Sequence, residues 1–251
     1  MLRVVSSGPI QSEVKILKAI FKSDIGKVRK INQDWAEIRN FQDNSCLVVV
    51  CDGIGGTSGG EVASKAAALE VCDYFEKNQK LEIKSRILES IKSANDKILQ
   101  IAKSDNKISD LGTTCVITFV QNDNLYVANV GDSRAYLISE NKIKQITNDH
   151  SVVNELLMQG KITSDEAKIA NNKNIITRAL GSLNSTPDFY EMNIKNNDKI
   201  LICTDGLTNC LSNEEIYNIL TKNSPEKAIE VLITNANQNG GTDNITAALI
   251  F

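Results

Sequence analysis

Three aspartates stand at the ends of short apolar runs, each beside glycine or turn residues. They are Asp52 in Val48-Val-Val-Cys-Asp52-Gly53, Asp205 in Leu201-Ile-Cys-Thr-Asp205-Gly206, and Asp243 in Gly240-Gly-Thr-Asp243-Asn244. A buried, β-branched strand fixes such a carboxylate where the chain leaves the core. One Asp-Gly pair alone is turn chemistry. Three carboxylates delivered this way and brought together repel one another unless cations neutralise them. That pattern points to a binuclear metal site. With one histidine, His150, the chain cannot build a His-rich transition-metal site. Oxygen ligands select magnesium, manganese or calcium. His150 itself reads as a loop residue outside the chemistry.

Two cations sharing a carboxylate lie about 3.5–4 Å apart, lower the pKa of a bridging water and clamp an in-line phosphoryl displacement. Other phosphoryl chemistries fit less well. Gly55-Gly-Thr-Ser-Gly-Gly60-Glu61 resembles a phosphate cradle, but Glu61 follows Gly60 where a P-loop carries Lys-Ser or Lys-Thr. Ile54 stands two residues past Asp52, where an aspartyl-phosphate enzyme needs a second carboxylate. None of the six cysteines has the arginine six residues on that a cysteine phosphatase requires. Metal-activated water remains. A phosphate dianion also calls for a bidentate arginine, and three of the six arginines, Arg29, Arg134 and Arg178, lie in motif-like surroundings.

These side chains need a scaffold. Strand-like runs fall at 46–51, 114–120, 124–130, 134–138, 142–146, 189–194, 199–204 and 245–251, with turn signals that make several of them antiparallel hairpins. Helical periodicity covers 60–77, 81–102, 212–220 and 225–237, the third opened by a Ser212/Glu215 capping box. Paired helices separated by runs of strands predict an α+β fold, with two antiparallel sheets and helices outside. Between 151 and 180 the rhythm breaks into a short helix at 151–160 and an exposed loop at 171–174, either a flap or a surface insertion. Residues 1–22 read as an N-terminal extension before the domain: a short amphipathic helix, an ordered segment or a tail.

Composition narrows the class. At 251 residues and 41% hydrophobic, the chain buries a core as one domain or two tightly joined layers. A net charge of −3 without a long basic run excludes nucleic acid or an anionic membrane as main partner. No apolar stretch approaches the roughly 18–20 residues of a bilayer span, and residues 13–22 are too charged for a secretory signal. A cytoplasmic protein is expected. No Cys-x-x-Cys pair occurs, so the cysteines read as reduced, small hydrophobes in the strands.

The motifs, taken in order, resemble those of the protein phosphatase 2C family, the metal-dependent Ser/Thr phosphatases, in its bacterial form. The series starts with Gly26-Lys-Val-Arg29-Lys-Ile-Asn32-Gln33-Asp34 and continues through Val50-Cys-Asp52-Gly53-Ile-Gly55-Gly56 and Leu111-Gly-Thr-Thr114. It then runs through Val127-Ala-Asn-Val-Gly131-Asp132-Ser133-Arg134, Asp149-His150-Ser151 and Ile176-Thr-Arg178-Ala-Leu180-Gly181. Thr204-Asp205-Gly206-Leu207 and Gly241-Thr-Asp243-Asn244-Ile245-Thr246 close it, so the likeness spans about Ser23 to the C-terminus.

The resemblance implies a four-layer αββα sandwich with two Mn²⁺ or Mg²⁺ ions in a cleft between the sheets. It implies that Asp52 bridges the ions, the Gly53 carbonyl joins it, and Asp205 and Asp243 hold the second ion. Asp34 would hold metal-associated water, Arg29 would bind the substrate phosphate, and Asp132 would help form a weaker third metal site. Residues 151–180 would be a substrate-shaping flap on a domain of 23–251. Two departures stand out. Gln33 replaces a frequent glutamate, and Ile54 and Thr57 occupy positions where eukaryotic and bacterial members, respectively, often carry histidine. No general acid is therefore named. The implied activity is hydrolysis of phosphoserine and phosphothreonine in phosphoproteins, opposing a Ser/Thr kinase, by a monomer. Two alternatives remain: a partner-switching phosphatase dedicated to one phosphoserine regulator, and a pseudophosphatase binding module.

Overall fold

The computed structural model describes residues 17–55, 59–104, 111–140, 142–170 and 175–251. Thr57, the loop at 171–174 and residues 1–16 lie outside the described residues. One sheet orders β1 (Ala19–Asp24), β11 (Ile245–Ile250), β10 (Lys199–Cys203), β7 (Arg134–Ser139) and β8 (Lys142–Gln145). The other orders β2 (Asp34–Asn40), β3 (Cys46–Ile54), β5 (Cys115–Gln121), β6 (Asn124–Val130) and β9 (Asp188–Asn193), with the short β4 (Gly112–Thr113) on β3. Every pairing is antiparallel.

The period of two along the central strands explains the layering. In β3, Cys46, Val48 and Val50 enter one core while Leu47, Val49 and Cys51 enter another. In β10, Ile200 and Ile202 share the first of these cores, and Leu201 and Cys203 turn to a third. The shared core lies between the sheets. The outer cores are closed by α1 (Gly59–Lys77) and α2 (Ile83–Ser104) on one side, and by α5 (Asp205–Thr208), α6 (Asn213–Lys222) and α7 (Pro225–Gln238) on the other. Strands buried on both faces therefore read as continuous apolar runs. Each buried Val, Leu or Ile stabilises the fold by about 1.5–3 kcal/mol before entropy is counted. The arrangement is the expected α+β, two-sheet sandwich between helical layers.

Local chemistry follows the sequence at several ends. Ser212 caps α6 and exchanges hydrogen bonds with Glu215 as a capping box. Ser224 caps α7, with Pro225 in its first turn. All six cysteines are free, and burial pushes the Cys46, Cys72 and Cys203 thiols up to about 12, which keeps them neutral packing groups.

The N-terminal boundary differs from the expectation. Ala19–Asp24 pairs with β11 from Ala19↔Ile250 to Asp24↔Ile245, so residues 19–22 belong to the sheet and are not an extension or a helix. Leu17 and Ala19 pack into the inter-sheet core and Ile20 into the core under α7. With both faces partly covered, the strand lacks the clean alternation that marks one from sequence. The segment after β8 forms α3 (Val152–Met158), as expected, and also α4 (Ser164–Ile169), capped by Thr163.

Candidate active site

The inter-sheet core ends in carboxylates. Continuing the alternation of Val48 and Val50, Asp52 projects from the inter-sheet face of β3, and Asp34 lies opposite it in register on β2. Thr204 and Thr246 continue the same faces of β10 and β11, and Thr204 Oγ1 donates to Asp34 Oδ2 at 2.8 Å. Asp34 Oδ1 is buried without a hydrogen-bond partner. Burial, with repulsion from Asp205 and Asp243, pushes the Asp34 carboxyl up to about 7 despite its threonine donors.

In front of Asp34 opens a cleft of about 260 Å³ lined by Arg29, Gln33, Asp52, Gly53, Asp132, Asp205, Asp243 and Asn244, with Ile54 and Ile176 among its walls. The backbone of Asp52 is pinned on both sides: its N–H donates to Thr114 Oγ1 at 2.9 Å, and its carbonyl accepts from Thr113 Oγ1 at 2.8 Å and Thr114 N at 2.9 Å. Burial first, then repulsion from Asp34, Asp205, Asp132 and Asp243, holds its carboxyl well above the usual range. Gly53 allows α1 to approach. A Cβ there would lie 2.2 Å from Gly60 O and 2.6 Å from Gln33 O.

The remaining carboxylates arrive from three different turns. Asp132 follows Gly131, whose φ of +104° suits glycine; burial and the charges of Asp205 and Asp149 push it up to about 7. Asp205 starts α5 and accepts from Asn209 Nδ2 at 3.0 Å, and burial with Asp243 beside it raises its carboxyl. Asp243 precedes β11 and accepts Arg29 Nη2 at 2.8 Å. Every residue expected at the site is therefore in the cleft or, for Asp34, directly behind it.

Arg134 and Arg178, the other two motif-like arginines, do not line this cleft. Arg134 forks onto Asp149, with contacts of 2.6–3.0 Å, and Arg178 pairs with Asp188 at 2.8 Å. Asn244 was not assigned a role from sequence. Its Oδ1 accepts from Gln33 N at 2.8 Å and its Nδ2 donates to Ile25 O and Ile31 O, which stitches the loop carrying Arg29 to β11. Its place beside Asp243 in a Gly-Thr-Asp-Asn turn was the available signal. His150 is buried, and desolvation holds its pKa below the ordinary value.

Among the described residues, no three Asp, Glu, His or Cys groups meet in finished ligand geometry. The aspartates instead share one cleft and one field, each burdened by the others, with an unpaired buried oxygen behind them. An all-oxygen donor set of this charge fits a hard divalent cation.

An acidic cleft lies at the mouth of a two-sheet, four-layer sandwich, and similarity to known proteins gives its class and family. The family model of Protein phosphatase 2C matches residues 29–245, and the chain belongs to that family; it is a protein-serine/threonine phosphatase. It is 37% identical over 240 residues to the serine/threonine phosphatase stp of Listeria welshimeri, covering 93% of this chain and 95% of that one. Its fold matches the crystal structure of serine/threonine phosphatase Stp1 from Staphylococcus aureus with a TM-score of 0.88 at 35% identity, over 97% and 98% of the two chains. The catalytic domain of the phosphatase PstP, solved in complex with two manganese ions, matches with a TM-score of 0.82 at 27% identity, over 93% and 97%.

Proposed function

We propose that the chain removes phosphate from phosphoserine and phosphothreonine with two Mn²⁺ or Mg²⁺ ions in this cleft. Asp52, the Gly53 carbonyl, Asp205 and Asp243 would hold the two ions, and Asp132 would hold a weaker third. The observation that carries the reading is the crowding of Asp52, Asp132, Asp205 and Asp243 into one cleft with Asp34 buried behind them. Such cations, when bound, neutralise charge at the phosphoryl group and acidify water. The two manganese ions of the PstP structure support the choice of metal.

The chain's own residues do the rest. Asp34, anchored by Thr204, orients water through its free oxygen. Arg29, half-exposed at the cleft beside Asp243, would offer its fork to the phosphate. Gly53 keeps α1 close enough to exclude bulk solvent behind the site. Residues 151–180 act as a flap on the one catalytic domain, which takes in strand β1 from Ala19.

The substrates are phosphoproteins, the context a cognate Ser/Thr kinase, the compartment the cytoplasm and the working unit a monomer. Among the described residues no helix is long and apolar enough to cross a membrane. Phosphate release from a phosphothreonine peptide, stripped of metal by EDTA and then given Mn²⁺, tests the reading. Release should stop on stripping and return with the ion; undiminished release from metal-free protein would refute it.

A further inference from the structure

We propose that His150 is a positioning residue that locks the turn carrying Asp132 to the segment walling the cleft at Ile176. The inference rests on Asp132 being a cation ligand, as read above. Both polar backbone groups of Gly131 end on His150: Gly131 N donates to His150 Nδ1 at 3.1 Å, and His150 N donates to Gly131 O at 3.0 Å. On its other side Gly131 touches Thr114, whose Cγ2 a Cβ would meet at 2.5 Å. Thr114 Oγ1 in turn accepts Asp52 N. The turn is thus clamped between the residue that pins Asp52 and a buried imidazole. Asp132 is the next residue along.

The far edge of the ring reaches the other loop. Because Nδ1 accepts, the ring proton sits on Nε2, 3.2 Å from Asp188 Oδ2 and bent from ideal hydrogen-bond geometry. Asp188 Oδ1 accepts from Arg178 Nη1 at 2.8 Å. His150 O accepts from Thr177 N at 2.8 Å, and Ser151 bridges to Ile176. Loops distant in sequence, at Gly131–Asp132 and Ile176–Arg178, thereby meet at His150: its imidazole holds Gly131 N and faces Asp188, while its backbone holds Gly131 O and Thr177 N. Groups that orient a metal ligand from behind typically matter about 10–100-fold in metal affinity or activity.

The test titrates the full chain with Mn²⁺, reading free ion by EPR, and measures kcat and KM on a phosphothreonine peptide. The variants are His150→Ala, His150→Asn, Asp188→Asn and Asp132→Asn. Asparagine puts an amide oxygen near the place of Nδ1 and removes the Nε2 proton. His150→Ala should weaken the weakest Mn²⁺ site about tenfold and raise KM, leaving the tighter sites unchanged. His150→Asn should recover the Mn²⁺ affinity but not KM, and Asp188→Asn should raise KM alone. If alanine prevents folding, the asparagine pair carries the test. Wild-type Mn²⁺ affinity in His150→Ala, at a site that Asp132→Asn abolishes, overturns the proposal, as does equal loss in the alanine and asparagine variants. Wild-type Mn²⁺ binding in Asp132→Asn would instead remove the assignment of Asp132 on which the proposal stands.

Discussion

Asp34 and Asp52 lie directly opposite each other across β2 and β3, where the register brings two carboxylates onto one face at the end of the inter-sheet core. Directly opposed like charges destabilise an antiparallel pair. Here both carboxyls are pushed upward, with burial the largest cause and the neighbouring aspartates adding to it. The metal-free fold therefore carries a strain that protons or cations relieve.

The sign of the resulting pH dependence follows. Asp34 and Asp132 titrate at about 7 in the fold, against the ordinary 3.8, and Asp52 and Asp205 are also raised. Between these values the folded state holds more protons than the unfolded one, so stability falls as pH rises. The benefit is full below about 4 and is lost through about 7. Thermal melts of EDTA-treated protein should give a higher Tm at pH 5 than at pH 8, with Mn²⁺ restoring it at pH 8. A higher Tm at pH 8 without metal would contradict this electrostatic account.

Gly53→Ala should destabilise the fold by about 1–3 kcal/mol or more, because the new methyl meets the backbone of Gly60 and Gln33, which cannot retreat independently. Gly160→Ala is the comparison: φ is +66° but nothing lies within 4 Å. The left-handed conformation alone costs about 1–2 kcal/mol there. Urea denaturation compares the two. A Gly53→Ala loss smaller than that of Gly160→Ala would show that α1 is free to shift.

Arg29 should matter to substrate far more than to stability. Its ion pair with Asp243 is solvent-exposed on both sides, and such pairs contribute about 0–1 kcal/mol. Arg29→Lys keeps the charge but loses the fork, so KM for a phosphopeptide should rise about tenfold, as for the loss of a charge-assisted bond. The urea midpoint should barely move. An unchanged KM would place phosphate recognition elsewhere.

How much of this was legible in the sequence differs by element. The central strands and the helices α1, α2, α6 and α7 were readable because both-face burial and helical stripes leave strong patterns. β2 was not, since Asp34-Trp-Ala-Glu-Ile-Arg-Asn40 alternates a half-buried face with charges that also suit a loop. Asp52, Asp205 and Asp243 stood out by their strand-end setting, whereas Asp34 and Asp132 stood out only through the family resemblance. Asn244 and the threonines did not, because their contribution is a hydrogen bond across the sheets. Residue type and setting left Arg29, Arg134 and Arg178 alike and the family resemblance singled out Arg29; folding shows that the other two are engaged by Asp149 and Asp188.

The central claim is that the clustered carboxylates hold the cations that make the hydrolysis possible. Mn²⁺-dependent phosphate release by Asp205→Asn, beside wild type, tests it most directly. Asparagine removes a ligand charge and relieves repulsion against Asp243, so the variant should stay folded, with a metal-free Tm at pH 8 equal to or above that of wild type. Its phosphate release should fall by at least about 100-fold, in line with the upper range for disturbed metal sites. A folded Asp205→Asn protein that releases phosphate at the wild-type rate would contradict the account.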